Sequence, residues 1–116
     1  MNIISWNCKG LVNSSKVEVV NDLIRMDSLD ILLLQETKID EDNLLSISNK
    51  KWNLNVGKAV TARGTAGGIA TLWTEKYFSL EHSHSTWHWM LTELHHSQSM
   101  NLTSLFNIYV LVNFQE

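Results

Sequence analysis

Three hydrophobic patterns follow one another in the opening third of the chain. Ile3-Ile4-Ser5-Trp6 is a short β-rich run, closed at once by the turn-forming Asn7-Cys8-Lys9-Gly10. Ser15-Lys16-Val17-Glu18 has the form of a capping box: the Ser15 hydroxyl accepts from the amide three residues on, and Glu18 reaches back to the Ser15 amide. Val17, Val20, Leu23 and Ile24 then recur at helical spacing, with Glu18, Asn21, Asp22 and Arg25 outside the stripe, until Asp27-Ser28 ends the helix. Ile31-Leu32-Leu33-Leu34 is unbroken and too short for a helix face, so it predicts a strand buried on both sides. Strand, helix and buried strand in succession make a βαβ unit with parallel strands and a right-handed crossover. Asn7 and Glu36 then sit just past the carboxyl ends of neighbouring strands, the edge at which open α/β sheets bind ligands. The Glu36 carboxylate is placed there to hold a hard cation through oxygen.

Beyond Lys38 the pattern weakens but stays readable. Asp40-Glu41-Asp42 predicts the start of a short helix through Leu44, Leu45 and Ile47, with its acids at the favourable end of the dipole. Trp52, Leu54 and Val56 alternate with Asn53 and Asn55 and read as a half-buried strand. Ala62 to Gly68 is a glycine-rich turn; no Lys-Ser/Thr or helix start follows it, so it is not a P-loop, although Arg63 could touch a phosphate. Ile69 to Trp73 and Tyr77 to Glu81 are further strands. Thr86 to Leu94 and Leu102 to Val112 form a hairpin across the polar turn from His95 to Asn101. The fold class is α/β (α+β): a βαβ start followed by antiparallel strands, in one compact unit over residues 1–116.

Composition narrows the function. The 116 residues are 44% hydrophobic and 18% charged, a globular balance, and the net charge of −3 is not the basic footprint of a non-specific duplex binder. Cys8 is the only cysteine, which excludes an internal disulfide, and no apolar run is long enough to span a membrane. With no signal-peptide pattern at Met1-Asn2-Ile3-Ile4-Ser5-Trp6, the expected location is intracellular, nuclear or cytoplasmic. Five histidines lie between His82 and His96. On a strand, His82, His84 and His88 would share a face, yet they lack the spacing of zinc-site ligands. Trp87 and Trp89 read as core and hairpin packing in preference to a base-stacking platform.

Three segments, in order, carry a family resemblance: Ser5-Trp6-Asn7-Cys8-Lys9-Gly10-Leu11, Leu34-Gln35-Glu36-Thr37 and Phe106-Asn107-Ile108-Tyr109. They resemble the endonuclease/exonuclease/phosphatase (deoxyribonuclease I-like) superfamily, and within it the N-terminal endonuclease domain of plant LINE-type non-LTR retrotransposons. The resemblance implies a four-layer α/β sandwich, two sheets face to face with helices outside, that hydrolyses phosphoesters with Mg²⁺ (or Mn²⁺). It gives Glu36 the metal-binding role, Asn7 the positioning of metal and scissile phosphate, and Tyr109 a phosphate contact; Lys9 and Arg63 are expected, apart from the resemblance, as further substrate contacts.

The same resemblance implies that the later Asp-x-Asn and Ser-Asp-His motifs supply the base and leaving-group chemistry. Neither is present in this chain, and none of its histidines has a Ser-Asp-His setting. The expectation is therefore the N-terminal part of the domain, with one metal ligand, no base and no meaningful activity alone. DNA is the implied partner of the intact protein, with little nucleic-acid binding by this stretch and self-association through an unpaired sheet face. The alternatives are a non-catalytic remnant or interaction module, and another branch of the superfamily acting on inositol phosphates or sphingolipids.

Overall fold

The computed structural model describes residues 1–11, 14–52, 54, 56–62 and 67–109. The expected βαβ unit is present: β1 (Ile3–Asn7), α1 (Ser14–Asp27) and β2 (Ile31–Gln35), with β1 and β2 parallel and Asn7 opposite Gln35. The helix starts at Ser14, so Ser15 lies inside its first turn and is not the N-cap of the capping box. Val17, Val20 and Ile24 are buried as the stripe requires, and Leu23 is half-buried.

The helix α2 (Glu41–Lys51) is capped by Asp40, whose side chain accepts from the Asn43 amide at 2.7 Å. Trp52 and Leu54 differ from the strand expected of them. Trp52 is the C-cap of α2, and its indole Nε1 donates to the Val17 carbonyl of α1 at 3.1 Å. The buried Leu54 has a backbone carbonyl that accepts from the Ser48 hydroxyl. Both side chains tie α2 to the core, and alternation of buried residues over so short a span does not distinguish a strand from a capped helix end. The strand β3 (Val56–Val60) begins only at Val56.

With β4 (Ile69–Trp73), the first sheet runs β1-β2-β4-β3, and β4 is antiparallel to both neighbours. Its central strands β2 and β4 are buried along their length, except for the half-buried Gln35. This is the expected burial for strands covered on both faces. One face packs on the helices through Val20, Leu32, Leu34, Leu44, Trp52 and Leu72. The opposite face, with Ile31, Leu33 and Trp73, meets Phe78, Leu94 and Leu105 of a second, three-stranded sheet. That sheet is β5 (Phe78–Ser85), β6 (Trp89–His96) and β7 (Leu102–Ile108), antiparallel throughout. The layers are helices, sheet and sheet, an α/β arrangement that agrees with the expected fold class.

The two sheets are joined by one buried polar residue. Asn107 of β7 donates from Nδ2 to the carbonyl oxygens of Ala70 (2.9 Å) and Leu34 (3.3 Å), and its Oδ1 accepts from Gln35 Nε2 at 2.7 Å. Gln35 Nε2 also donates to Ser5 Oγ at 3.0 Å, so the network reaches β1, β2, β4 and β7. Thr92 of β6 is equally buried, but its hydroxyl has no partner among the described residues.

These two residues should respond in opposite directions to apolar replacement. Asn107→Leu removes the buried hydrogen bonds to the Ala70 and Leu34 carbonyls and from Gln35 Nε2, and is expected to cost on the order of 2–4 kcal/mol. Thr92→Val, which removes an unsatisfied hydroxyl at constant shape, is expected to be neutral or stabilising. Urea unfolding of the two variants, compared at constant m-value, measures both.

Candidate active site

Each sheet-1 strand that runs toward the Asn7 edge stops there, and the connecting segments are laced side by side. The loop after β1 is bonded to the segment after β2 through Cys8 N to Gln35 O (3.0 Å), Gly10 N to Glu36 O (2.7 Å) and Leu11 N to Thr37 O (2.9 Å). That segment is bonded in turn to the residues entering β4, through Thr37 N to Gly68 O (3.1 Å) and Lys38 N to Gly67 O (2.9 Å). Six of the eight described residues with positive φ gather in these three segments: Lys9, Gly10, Glu36, Lys38, Gly67 and Gly68. Three of them are not glycine, and left-handed backbone at such residues persists only where surrounding contacts over-determine it. Gly68 is required where it stands, since at φ +91° a Cβ would run into the Thr37 hydroxyl.

The sequence-predicted residues that are described fall on this edge. Asn7 ends β1, is exposed, and its Oδ1 accepts from the Lys9 amide at 3.2 Å in an Asx-type turn. Glu36 follows β2 directly at φ +53° and is half-buried. Among the described residues its carboxylate makes no hydrogen bond or ion pair, whereas its backbone oxygen is held by Gly10. Tyr109 arrives from the second sheet, two residues beyond Asn107. It is buried, its amide donates to the His88 carbonyl at 2.7 Å, and its ring lies 4.0 Å from the position of a Cβ on Gly67. Lys9 is exposed on the loop itself. Arg63 lies outside the described residues.

Three side chains that the sequence reading left without a role organise this edge. Lys16 reaches back from α1 so that its Nζ donates to the carbonyls of Cys8 (2.8 Å) and Lys9 (3.1 Å), fixing the loop that carries Asn7. Gln35 and Asn107 hold the last turn of β2 to β7, and so set Glu36 relative to Tyr109. The available signal for Asn107 is its parity: with Leu105 and Tyr109 it occupies the inward positions of β7, where an unpaired amide would be costly.

The histidines do not form a centre. His82 and His84 are on β5, but His88 lies in the turn before β6, with its Nδ1 3.2 Å from Thr86 Oγ1. No group of three metal-ligating side chains exists among the described residues. Trp87 packs on His88 in that turn, and Trp89 stacks on Phe106 with ring centroids 5.4 Å apart. Trp89 is thus hairpin packing as expected, while neither tryptophan enters the buried clusters.

No protein-family model and no curated protein sequence matches the chain. Solved structures do. The AP endonuclease LMAP of Leishmania major superposes with a TM-score of 0.64 at 18% identity, covering 94% of this chain and 40% of that one. The APE2 catalytic domain of Xenopus laevis gives 0.62 at 19% identity, over 94% and 45% of the two chains. The human Nocturnin catalytic domain, solved with a bound sulfate anion, gives 0.61 at 16% identity, over 90% and 47%. The chain has their fold. It spans less than half the length of each of these three structures. The α/β architecture expected from the residues is therefore a known one, and the edge described above belongs to it.

Cys8 beside this edge is buried, and its thiol donates to the Gln35 carbonyl at 3.2 Å. Burial pushes the thiol from 9.0 up to about 11, against backbone amides and the Lys16 ammonium, which favour the thiolate; the Glu36 carboxylate adds to the upward shift. The fold therefore favours the neutral thiol. Its stabilising contribution is fully present below pH 9, where the unfolded thiol is also neutral, and is lost as pH rises from 9 to 11. The expected outcome is slow native-state labelling by a disulfide reagent at pH 8 and a fall in urea midpoint above pH 9 that is smaller in Cys8→Ser.

Proposed function

We propose that this chain is part of a metal-dependent phosphodiesterase whose substrate in the intact protein is DNA. The observation that carries this reading is the Glu36 carboxylate. It stands at the carboxyl end of a buried strand, on left-handed backbone beside Asn7, and takes no partner from the described residues. Such an arrangement fits a hard cation, since Mg²⁺ requires only one or two carboxylates and completes its shell with water and substrate oxygen. Glu36 and the Asn7 carboxamide oxygen would hold the ion, and Mn²⁺ has the same preference for oxygen. When bound, it would stabilise charge growing on a phosphodiester. Tyr109 contributes a phenol at the same edge, Lys9 and Arg63 contribute cations for phosphate, and Lys16 holds the Asn7 loop. The motif resemblance supports a nuclease, as does the presence of an AP endonuclease among the fold neighbours. The sulfate bound to Nocturnin, an anion of phosphate size, supports an anion-accepting fold.

Within that class, the Trp6-Asn7-Cys8-Lys9-Gly10-Leu11 context favours a retroelement endonuclease, which nicks chromosomal DNA so that the exposed 3′-hydroxyl primes reverse transcription. Inositol-phosphate and sphingolipid phosphodiesters are the competing substrates. The chain alone offers no histidine in a Ser-Asp-His setting to manage proton transfer, so the reading for the isolated 116 residues is metal binding without turnover.

Mn²⁺ titration followed by amide NMR tests both halves of this reading. The ion is expected to broaden signals from Asn7 to Gly10 and from Glu36 to Lys38, and Glu36→Gln is expected to weaken binding roughly tenfold or more. Unchanged Mn²⁺ affinity in Glu36→Gln removes the metal role and leaves a non-catalytic remnant. Plasmid nicking with Mg²⁺ is expected to be absent, and robust nicking that Glu36→Gln abolishes would overturn the inactivity of the isolated chain.

A further inference from the structure

The loop after β1 is held in two different ways. The amides of Cys8, Gly10 and Leu11 donate to the backbone oxygens of Gln35, Glu36 and Thr37. Lys9 stands inside that ladder without belonging to it: among the described residues, both of its backbone groups are bonded to side chains. Its amide donates to Asn7 Oδ1 at 3.2 Å, and its carbonyl accepts from Lys16 Nζ at 3.1 Å. Lys9 also has φ +51°, a conformation that a residue with a Cβ keeps only where its contacts impose it. Here those contacts come from Asn7 and from Lys16 on α1.

Lys16 and Asn7 grip opposite ends of the same peptide. The Cys8 carbonyl and the Lys9 amide belong to one planar trans unit, whose C=O and N–H point in opposite directions. Lys16 Nζ donates to that carbonyl at 2.8 Å, and the N–H at the other end is the one that Asn7 Oδ1 accepts. A rotation of the peptide that breaks the first bond therefore moves the second. The bond occupies one acceptor position of the Asn7 carboxamide oxygen. It leaves the other, together with an Nδ2 group that takes no partner among the described residues. Lys16 is itself set by α1, whose Val17 and Val20 are buried in the core with Leu32 and Leu34.

We propose that Lys16 is a positioning residue: through the Cys8–Lys9 peptide it fixes the orientation of the Asn7 carboxamide beside Glu36. This rests on the reading of Asn7 and Glu36 as the groups that hold a divalent cation. Residues that orient a metal ligand from behind typically contribute roughly ten- to hundredfold to affinity. The charge of Lys16 acts in the opposite direction, because an ammonium near the site repels a cation. Loss of the lysine therefore weakens cation binding if it positions Asn7, and tightens binding if its charge is all that matters. The two roles differ in sign.

Mn²⁺ titration of the full chain separates them. Lys16→Met is expected to weaken Mn²⁺ binding roughly tenfold, and Lys16→Arg, which keeps the donors, to retain most of the affinity. In an Asn7→Ala background, Lys16→Met is expected to cause no further weakening, since no carboxamide is left to orient. Without metal, exchange of the Lys9 amide is expected to accelerate severalfold in Lys16→Met relative to the amides of Cys8, Gly10 and Leu11. Unchanged or tighter Mn²⁺ binding in Lys16→Met, the same weakening in the Asn7→Ala background, or unaltered Lys9 exchange would each overturn the proposal. If Glu36→Gln does not alter Mn²⁺ affinity, the metal reading fails, and the Lys9 exchange alone decides on the relay. If Lys16→Met does not fold, the unmodified chain decides. Lys16 ammonium protons that exchange slowly at neutral pH support the relay, and ammonium protons as fast as those of Lys9 refute it.

Discussion

The carboxamide of Asn107 is the constraint on which the arrangement of the two sheets depends. Apolar contacts between Leu33, Trp73, Leu94 and Leu105 hold the sheets together, but such contacts are non-directional and would tolerate sliding. The Asn107 amide tolerates much less, because it meets the two backbone carbonyls and the Gln35 amide together at one position only. A slip of β7 by one residue would bring Phe106 or Ile108 inward and send the amide outward. In a low-dielectric interior a fully satisfied network of this kind specifies one alignment, whereas a partly satisfied one would be a liability.

That alignment is transmitted to the carboxyl edge of the first sheet. Gln35, the residue before Glu36, is gripped by Asn107, and Tyr109 follows Asn107 by two residues, so one hydrogen bond of 2.7 Å couples the two sides of the edge. On the opposite flank, Lys16 and the Cys8 and Gly10 amides bind the Asn7 loop to the same segment. Left-handed backbone at Lys9, Glu36 and Lys38 is tolerable because these bonds hold it. The result is an edge whose backbone polar groups are bonded to one another, while the Glu36 carboxylate takes no hydrogen-bond partner from the described residues.

The same layering explains the asymmetry of the molecule's surfaces. The first sheet has helices on one face and the second sheet on the other, and its central strands are accordingly apolar throughout. The second sheet is packed on one face only, and its strands alternate, with Met90, Thr92 and Leu94 inward and Trp89, Leu91 and Glu93 outward. Trp89 and Phe106 stack on that outer face instead of filling the core.

The sequence by itself determined the elements and their class, because those depend on local periodicity and end signals. The βαβ start, the acid-led start of α2, the doubly buried β2 and the β6–β7 hairpin all follow from residues within one or two turns of each other. It also located Asn7 and Glu36 at neighbouring strand ends, since parallel pairing leaves no other place for them. It could not determine that Trp52 caps a helix, that His88 leaves the strand of His82 and His84, or that Lys16, Gln35 and Asn107 organise the edge. Those outcomes rest on partners 8 to 73 residues away in the chain, or on where a strand stops. Long-range pairing of this kind is set by how the layers close on one another, so it was decided by the tertiary structure.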